Sequence, residues 1–277
     1  MIRLEKIDHF DLEKTFLCGQ CFRWEKYENG VFYGITGDSV AKAYYHKPDI
    51  IYIESSNPNL DFWNNYLNFS CDYKEVEQDL SKDELLIPCI KAGNGIRILR
   101  QDLWETMVSF IISANNNIPR IKKIIGKLCE LYGKKIEFDS KTFYGFPKAE
   151  VLSKLDISEL SEIRAGFRDK YILDAAKKVS SGEVDLAKIP KMNNQDAKKE
   201  LMKINGIGPK VADCILLFAL GRHDIFPFDV WTKRIIADIY GIPEKDMLSF
   251  VNKKFGQHAG IAQQYLYYYY AIRKNDK

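Results

Sequence analysis

The sequence predicts an α+β fold, in which an N-terminal antiparallel β-sheet with helices is followed by a mostly α-helical body containing a helix-hairpin-helix. Three observations support this class. Residues 21–55 alternate strand-like runs with turn dipeptides. Apolar residues after about residue 60 recur with a helical period. Residues 201–221 join two helical patterns through a G-x-G turn.

The chain of 277 residues is long enough to bury a large core in one or more domains. We predict a sheet domain over residues 1–100 and a helical body over residues 101–277. The helices at the end of this first domain could instead pack as part of the helical body. The body is long enough for two helical subdomains with an active site between them.

The strands are predicted from four runs rich in β-branched and aromatic residues: F-R-W-E-K-Y, V-F-Y-G-I-T, S-V-A-K-A-Y-Y and I-I-Y-I-E-S. The separators are Asn29-Gly30, Gly37-Asp38 and the H-K-P-D segment 46–49. These are hairpin signals, so we expect an antiparallel sheet.

Helical patterns begin with short segments within residues 60–90. Residues 103–114 are apolar almost all round, which predicts a buried central helix. Further helices are predicted at 118–132, 147–154, 158–164, 169–181, 194–203, 210–221, 230–240, 244–255 and 260–273.

Charge is distributed unevenly along the chain. Residues 1–90 carry 9 Lys or Arg and 16 Asp or Glu, a net charge of −7, whereas residues 91–277 carry 32 and 22, a net charge of +10. A basic C-terminal part suggests a polyanionic partner such as nucleic acid, because cationic side chains release the counterions of phosphates. A solvated surface with scattered lysines is the alternative.

The composition is that of a globular protein, with 46% hydrophobic and 29% charged residues. The opening M-I-R-L-E-K-I-D-H-F lacks the apolar core of a signal peptide, and no run of about 18 apolar residues suggests a membrane span. We therefore expect a cytoplasmic monomer without a membrane partner, associated with the nucleoid in a bacterium and nuclear in a eukaryote.

Two of the six cysteines, Cys18 and Cys21, form a C-x-x-C pair. A structural zinc site would need a second such pair, and a thioredoxin-like motif would be followed by a helix, whereas strand-like residues follow here. We therefore expect free thiols that serve in packing.

The segment L-M-K-I-N-G-I-G-P-K-V-A-D-C (201–214) predicts a helix-hairpin-helix. Gly206 and Gly208 allow a tight turn, and Pro209 suits the first turn of the next helix, where its missing N–H is not needed. The free N–H groups at such a helix start bind an anion such as a DNA phosphate. A plain αα-hairpin is the alternative.

Lys210 lies in the first turn of this second helix, whose positive end disfavours an ammonium group and so favours a nucleophilic amine. A phosphate contact is the simpler role for it. Nineteen residues later, Asp229 stands at the N-cap of the next predicted helix. Paired with Lys210, its carboxylate could also stabilise a cationic sugar electrostatically.

The hairpin, Lys210 and Asp229 together resemble the HhH-GPD superfamily of DNA base-excision glycosylases. Further stretches resemble 8-oxoguanine DNA glycosylases in the same order and cover most of the chain. They are C-G-Q-C-F-R-W (18–24), G-I-R-I-L-R-Q-D (95–102), S-A-N-N-N-I-P-R-I (113–121), G-F-R-D-K-Y (166–171), K-V-A-D-C (210–214) and A-G-I-A-Q-Q-Y-L-Y (259–267).

The resemblance implies a bifunctional N-glycosylase and abasic-site lyase that flips 8-oxoguanine, preferably opposite cytosine, out of double-stranded DNA. Lys210 matches the lysine that attacks the anomeric carbon and forms a Schiff base, which permits β-elimination. Asp229 matches the partner carboxylate. Gly19 matches a glycine whose carbonyl accepts the N7–H that 8-oxoguanine has and guanine lacks. The other residues matched to the lesion base are Cys214, Phe218, Gln263 and Tyr267.

Other matches concern the rest of the DNA. Asn115, Arg120 and Arg168 match residues that read the cytosine opposite the lesion, and Phe167 matches the residue that wedges into the duplex. The matches to phosphates are Gly206, Gly208, Val211 and Trp231. The backbone carbonyls of Met202, Ile204 and Ile207 match ligands of a structural cation. A bound water is the alternative occupant of that position. No other cofactor is implied.

The chain departs from the better-known eukaryotic members at three of these positions. Tyr267 replaces a phenylalanine, and Phe167 replaces a wedging tyrosine. Trp231 replaces a histidine that contacts phosphate, and it offers one N–H without a charge.

Two other classes remain as alternatives. Other glycosylases of the superfamily include members with an iron–sulfur cluster on four C-terminal cysteines, whereas no cysteine follows Cys214 here, so we expect no cluster. Alkylbase glycosylases share the sheet but lack the lysine. The second class is a non-catalytic helix-hairpin-helix protein, against which the pair Lys210 and Asp229 argues.

Overall fold

The computed structural model describes residues 2–5, 8–47 and 50–272. Of the sequence predictions, two positions of the 46–49 turn, Pro48 and Asp49, lie outside these described residues, as does position 273 of the last predicted helix.

An antiparallel five-stranded sheet forms the N-terminal part, as predicted. Its strands are β1 (Ile2–Glu5), β2 (Trp24–Lys26), β3 (Phe32–Thr36), β4 (Ser39–Lys47) and β5 (Ile50–Ser55), in the order β1-β5-β4-β3-β2. The predicted Gly37-Asp38 turn joins β3 to β4, with Thr36 paired to Ser39. Strand β1 was not predicted, because its four residues are too short to show a period.

The helices before residue 150 are α1 (Leu12–Leu17), α2 (Leu60–Tyr66), α3 (Tyr73–Leu80), α4 (Ile87–Gly93), α5 (Leu103–Ser113), α6 (Ile118–Tyr132) and α7 (Ala149–Leu152). Those after it are α8 (Ile157–Leu160), α9 (Asp169–Ser180), α10 (Asn194–Leu201), α11 (Pro209–Leu220), α12 (Val230–Tyr240), α13 (Met247–Phe255) and α14 (Ala259–Tyr267). Helix α1 was not predicted. The predicted central helix corresponds to α5, which is buried over most of its length.

The segment between α6 and α7 contains an unpredicted two-stranded hairpin, β6 (Lys135–Phe138) and β7 (Lys141–Tyr144). Its turn residues, Asp139 and Ser140, both have positive φ. The predicted helices at 147–154 and 158–164 are reduced to the four-residue helices α7 and α8.

Two hydrophobic cores hold these elements together. The smaller lies under the sheet, where the rings of Phe16 and Trp24 stack with centroids 3.8 Å apart. The larger fills the helical body and includes Val76 and Leu80 of α3. Helices that precede residue 100 therefore contribute to the core of the body, and the domain boundary itself stays a prediction.

A buried ion pair fixes the sheet against the central helix α5. Arg23 Nη1 lies 3.1 Å from Glu105 Oε2, and both side chains are at most 10% exposed. The same carboxylate oxygen accepts a hydrogen bond from the Gly37 N–H at 2.8 Å. The β3–β4 turn is therefore held on α5, the helix that also forms one wall of the cavity described below.

The predicted helix-hairpin-helix is confirmed. Helix α10 ends at Leu201 and α11 begins at Pro209, with Gly208 as its N-cap. Gly206 has φ +88°, and a Cβ there would lie 2.6 Å from the ring of Tyr171. The turn therefore needs glycine both for its backbone conformation and for the close approach of α9.

No helix among residues 2–5, 8–47 and 50–272 is both long and apolar enough to cross a bilayer.

Gly34 in β3 faces the indole of Trp24, and a Cβ at this glycine would lie 2.0 Å from that ring. We expect Gly34→Ala to lower the free energy of unfolding by about 1–3 kcal/mol, because the core must shift to admit the methyl group. Chemical denaturation measures the change.

Gly126→Ala is the matched control for Gly34→Ala. Gly126 is exposed on α6, and its Cβ would meet nothing within 4 Å. There the same change should be neutral or stabilising by about 0.5–1 kcal/mol, since alanine favours a helix. Equal effects at both positions would contradict the packing argument.

Candidate active site

One cavity of about 740 Å³ contains most of the predicted site residues. Its walls come from the loop after α1, from α5 and the loop that follows it, from the start of α6, from α11, from the first turn of α12, and from α14. The predicted residues that line it are Gly19, Asn115, Phe167, Lys210, Val211, Cys214, Phe218, Asp229, Trp231, Gln263 and Tyr267. Those outside its lining are Arg120, Arg168, Met202, Ile204, Gly206, Ile207 and Gly208.

Lys210 extends from the first turn of α11 into this cavity, with its Nζ 5.7 Å from the ring centre of Phe110. Cys214, one turn later, is 3% exposed. Burial raises the pKa of the Cys214 thiol to about 11, and the neighbouring Lys210 charge opposes that rise. At neutral pH the thiol is therefore uncharged, and the amine lies against an apolar ring and a neutral sulfur.

Asp229 is the N-cap of α12, as predicted. Its Oδ1 accepts hydrogen bonds from the Thr232 N–H at 2.7 Å and the Thr232 hydroxyl at 3.0 Å, and its own N–H donates to that hydroxyl. The described hydrogen bonds of this carboxylate all use Oδ1. Because Asp229 also lines the cavity, the geometry leaves Oδ2 for a ligand.

The amine and the carboxylate share the cavity without touching. Among the described residues, Lys210 and Asp229 form no ion pair within 4.0 Å. The Asp229 charge nevertheless contributes to the raised pKa of both Cys214 and Tyr267. Burial is the larger cause at Tyr267 and raises its pKa to about 12. The space between the two charged groups is thus bordered by neutral side chains.

The loop at Gly19 is fixed by glutamine side chains. Gln264 Nε2 donates to the Cys18 carbonyl at 3.3 Å, and Gln101 Nε2 donates to the Gln20 carbonyl at 2.8 Å. Among the described hydrogen bonds none uses the Gly19 carbonyl between them. Gly19 has φ +89°, and a Cβ there would lie 3.3 Å from Ile118 Cδ1. The loop therefore offers a backbone acceptor at a position that suits glycine.

Gln263 supplies a second acceptor in the cavity. It is 5% exposed, and its Oε1 is buried without a hydrogen-bond partner. A buried polar atom left unpaired costs about 1–3 kcal/mol, so a ligand donor at this point would be favourable. Nearby, Phe218 stacks on Phe110 with ring centres 5.5 Å apart and an interplanar angle of 9°.

The residues predicted to read the opposite base have different environments. Asn115 lines the cavity with φ +53°, and Arg120 is exposed in the first turn of α6. Arg168 is instead 3% exposed, and its guanidinium donates to the carbonyls of Ala114, Asn115 and Ala165. These hydrogen bonds hold the backbone of the loop that carries Asn115, and the role of Arg168 at the opposite base stays a prediction.

Phe167, the predicted wedge, is 54% exposed at the rim of the cavity. The guanidinium carbon of Arg168 lies 4.3 Å from the centre of its ring, and Tyr171 approaches it edge-on at 6.0 Å. The ring of Phe167 is thus held by contacts with Arg168 and Tyr171, while more than half of the side chain remains open to a ligand.

The carbonyls predicted to bind a structural cation lie in the hairpin turn. The Ile204 carbonyl accepts the Ile207 N–H at 3.1 Å, and Lys178 Nζ donates to the adjacent Lys203 carbonyl at 2.7 Å. In the described part of the chain, no three His, Cys, Asp or Glu side chains come together as a metal site. The cation at Met202, Ile204 and Ile207 stays a prediction.

Sequence reasoning predicted 11 of the 24 described residues that line the cavity and missed the others, among them Cys18, Phe110 and Gln264. Cys18, predicted to serve in packing, also lines the cavity, and burial raises its pKa to about 12. Phe110 and Gln264 line it as well. Cys18 and Gln264 lie within stretches that resemble the family, but no local pattern predicts that they reach the cavity, because their positions depend on contacts between elements far apart in sequence.

Comparison with known families assigns both parts of the chain. Residues 1–107 match the model of the 8-oxoguanine DNA glycosylase N-terminal domain. Residues 108–257 match the model of the HhH-GPD superfamily of base excision DNA repair proteins.

Similar proteins agree with this assignment. An N-glycosylase/DNA lyase of Saccharomyces cerevisiae is 39% identical over 177 residues, which are 58% of this chain and 47% of the yeast protein. This chain thus spans about half the length of that relative. The N-glycosylase/DNA lyase OGG1 of Arabidopsis thaliana is 32% identical over 95% of this chain and 78% of its own.

The 8-oxoguanine glycosylase/lyase of Clostridium acetobutylicum, solved with double-stranded DNA containing cytosine opposite 8-oxoguanine, superposes with a TM-score of 0.91. It is 38% identical, and the match covers 100% of this chain and 99% of that one. The chain therefore belongs to the 8-oxoguanine DNA glycosylase family within the HhH-GPD superfamily of base excision DNA repair proteins.

Proposed function

We propose that this protein removes 8-oxoguanine from double-stranded DNA and then nicks the strand at the resulting site. The observation that carries the proposal is the shared cavity of Lys210 and Asp229, with the Lys210 amine against neutral groups and one carboxylate oxygen left for a ligand. The relatives named as glycosylase/lyases support the same reaction.

In the first step, the uncharged Lys210 amine attacks C1′ of the extruded nucleotide. The bond between C1′ and N9 breaks, and its electron pair leaves with the base, which takes up the proton that the attacking nitrogen gives up. Positive charge develops on the sugar as the base departs, and the Asp229 carboxylate stabilises it across the cavity. The Cys214 thiol is neutral because it is buried, so no thiolate lies beside the amine to form an ion pair with it.

The bond between C1′ and O4′ then breaks as the nitrogen lone pair of Lys210 forms a protonated Schiff base to C1′, and O4′ keeps the electron pair and takes a proton from water. Loss of a proton from C2′ pushes electrons toward C3′, so that the 3′ phosphate leaves by β-elimination. Water later releases the aldehyde product and returns the free amine. The chain's contribution is a covalent electron sink at Lys210 and a fixed anion at Asp229.

Recognition of the damaged base uses acceptors that the fold already presents. The Gly19 carbonyl accepts the N7–H of 8-oxoguanine and repels the N7 lone pair of guanine. The unpaired Gln263 Oε1 accepts from the Watson–Crick edge of the base. Tyr267 and Cys214 border the base, and stacking offsets part of the cost of extrusion, which is a few kcal/mol.

The duplex is held at several points around this cavity. The turn at Gly206 and Gly208 offers backbone N–H groups to a phosphate at the start of α11. Phe167 wedges into the space that the lesion leaves, while Asn115 and Arg120 face the cytosine. We further propose a cation at the Met202, Ile204 and Ile207 carbonyls beside that phosphate, and a cellular location with the genome.

Lys210→Gln should abolish the covalent step while DNA binding persists. With 8-oxoguanine duplex and borohydride, the wild-type protein should form a trapped protein–DNA adduct, because the reagent reduces the Schiff base. The variant should form none. Gel electrophoresis measures the amount of trapped adduct that each protein forms, with the lesion placed opposite each of the four bases in turn. Lys154→Gln, at an exposed lysine beside α7, is the control. Normal trapping by the Lys210 variant would refute the mechanism.

Asp229→Asn separates the capping role from the charge. Asparagine caps a helix as well as aspartate does, so folding and DNA affinity should change little. The single-turnover rate should fall by about 10²–10³-fold, because a preorganised charge is lost at the sugar.

Asp72→Asn is the matched control for Asp229→Asn, since Asp72 caps α3 and does not line the cavity. Its rate should be unchanged. An undiminished rate in Asp229→Asn would remove the electrostatic role of the carboxylate.

A further inference from the structure

Trp231 is a large aromatic side chain left open at the rim of the cavity. It follows Asp229 by two residues in the first turn of α12 and is 45% exposed. Its neighbour Val230 is 67% exposed. Both residues line the same cavity as Lys210. Among the described residues, the indole N–H of Trp231 has no hydrogen-bond partner.

The ring of Trp231 has a cation on one side. The Arg234 guanidinium carbon lies 6.0 Å from the ring centre, and Arg234 forms no ion pair among the described residues. A cation at this distance is attracted to the ring quadrupole and favours a fixed ring orientation. Because Trp231 is 45% exposed, a large part of the indole surface remains open to a flat ligand.

The position of the indole limits what this ligand can be. Trp231 and Asp229 lie two residues apart at the start of α12 and both line the cavity, so the indole lies at the rim of the site that would hold the reacting sugar. An uncharged indole is a poor phosphate ligand and a good surface for a nucleobase. Phe167 already occupies the wedge position at another point of the rim.

We propose that Trp231 stacks on the nucleobase that flanks the extruded lesion on the damaged strand. This inference rests on the proposed function, because it takes the cavity as the site of an extruded nucleotide. The indole, backed by Arg234, replaces the stacking that the flanking base loses when its neighbour leaves the duplex. Trp231 is thereby a binding residue that distinguishes an intact flanking base from a missing one.

The test measures DNA affinity by fluorescence anisotropy, so that it does not depend on turnover. The probes are three duplexes with a stable abasic analogue at the lesion position. In the first, both flanking bases are present, and in the other two the 3′ or the 5′ flanking base is also removed. The proteins are wild type, Trp231→Ala, Trp231→Phe and Tyr27→Ala.

Tyr27 is a matched control because it is 42% exposed, has Lys141 Nζ 4.9 Å from its ring centre, and does not line the cavity. Trp231→Ala should weaken binding about tenfold on the first duplex. The loss should vanish on one of the two duplexes that lack a flanking base. Trp231→Phe should keep most of the affinity, and Tyr27→Ala should match the wild type.

A loss for Trp231→Ala that is the same on all three duplexes would overturn the proposal and indicate a backbone contact. An effect of Trp231→Phe as large as that of Trp231→Ala would also overturn it and assign the role to the indole N–H. Unchanged affinity in Trp231→Ala would exclude any DNA contact. Cleavage of 8-oxoguanine duplex by the wild type is scored separately, and its absence would reject the proposed function rather than the stacking.

Discussion

The site depends on one constraint: the backbone loop at Gly19 must stay at a fixed distance from the Lys210 amine on α11. The loop follows α1 in the N-terminal part, whereas the amine belongs to the helical body. Hydrogen bonds from glutamine side chains connect the two. Gln20 Nε2 donates to the carbonyls of Thr15 and Arg97, and Gln20 Oε1 accepts from the Leu99 N–H.

Gln101 extends this connection to α11 itself. Its Nε2 donates to the Gln20 carbonyl and, at 3.3 Å, to the Phe218 carbonyl, which its backbone N–H also contacts at 3.1 Å. Each such bond contributes about 0.5–1.5 kcal/mol, and loss of one partner leaves a buried group unpaired at a greater cost. The acceptor at Gly19 and α11, the helix of the proposed nucleophile Lys210, therefore belong to one hydrogen-bonded unit.

The parts of this site that sequence predicts are those set by local chemistry. The G-x-G turn, Pro209 at the start of α11 and the N-cap at Asp229 all depend on residues a few positions apart, and the structure has each of them. The environment of Arg168 is a feature that the sequence does not predict. Its burial against the Ala114 carbonyl depends on the packing of α9 beside α5, which no short motif records.

The same limit explains the unpredicted role of Cys18 and the missed β6–β7 hairpin. A C-x-x-C pair indicates metal or redox chemistry by its spacing, whereas here the position of the Cys18 thiol at the cavity follows from the fold of the loop around Gly19. The resemblance to a known family predicted the residues of the lesion site, and the structure adds that, among the described hydrogen bonds, none uses the Gly19 carbonyl or Gln263 Oε1.

The most direct test of the account measures base discrimination when the loop loses its support. Gln101 does not line the cavity, so Gln101→Leu can act on the base only through the backbone that Gln101 holds, at the loop of Gly19 and at Phe218. In a Lys210→Gln background, which prevents turnover, the affinity ratio for 8-oxoguanine over guanine duplexes should fall about tenfold on adding Gln101→Leu, as expected when one buried hydrogen bond is lost. An unchanged ratio in a folded double variant would contradict the account.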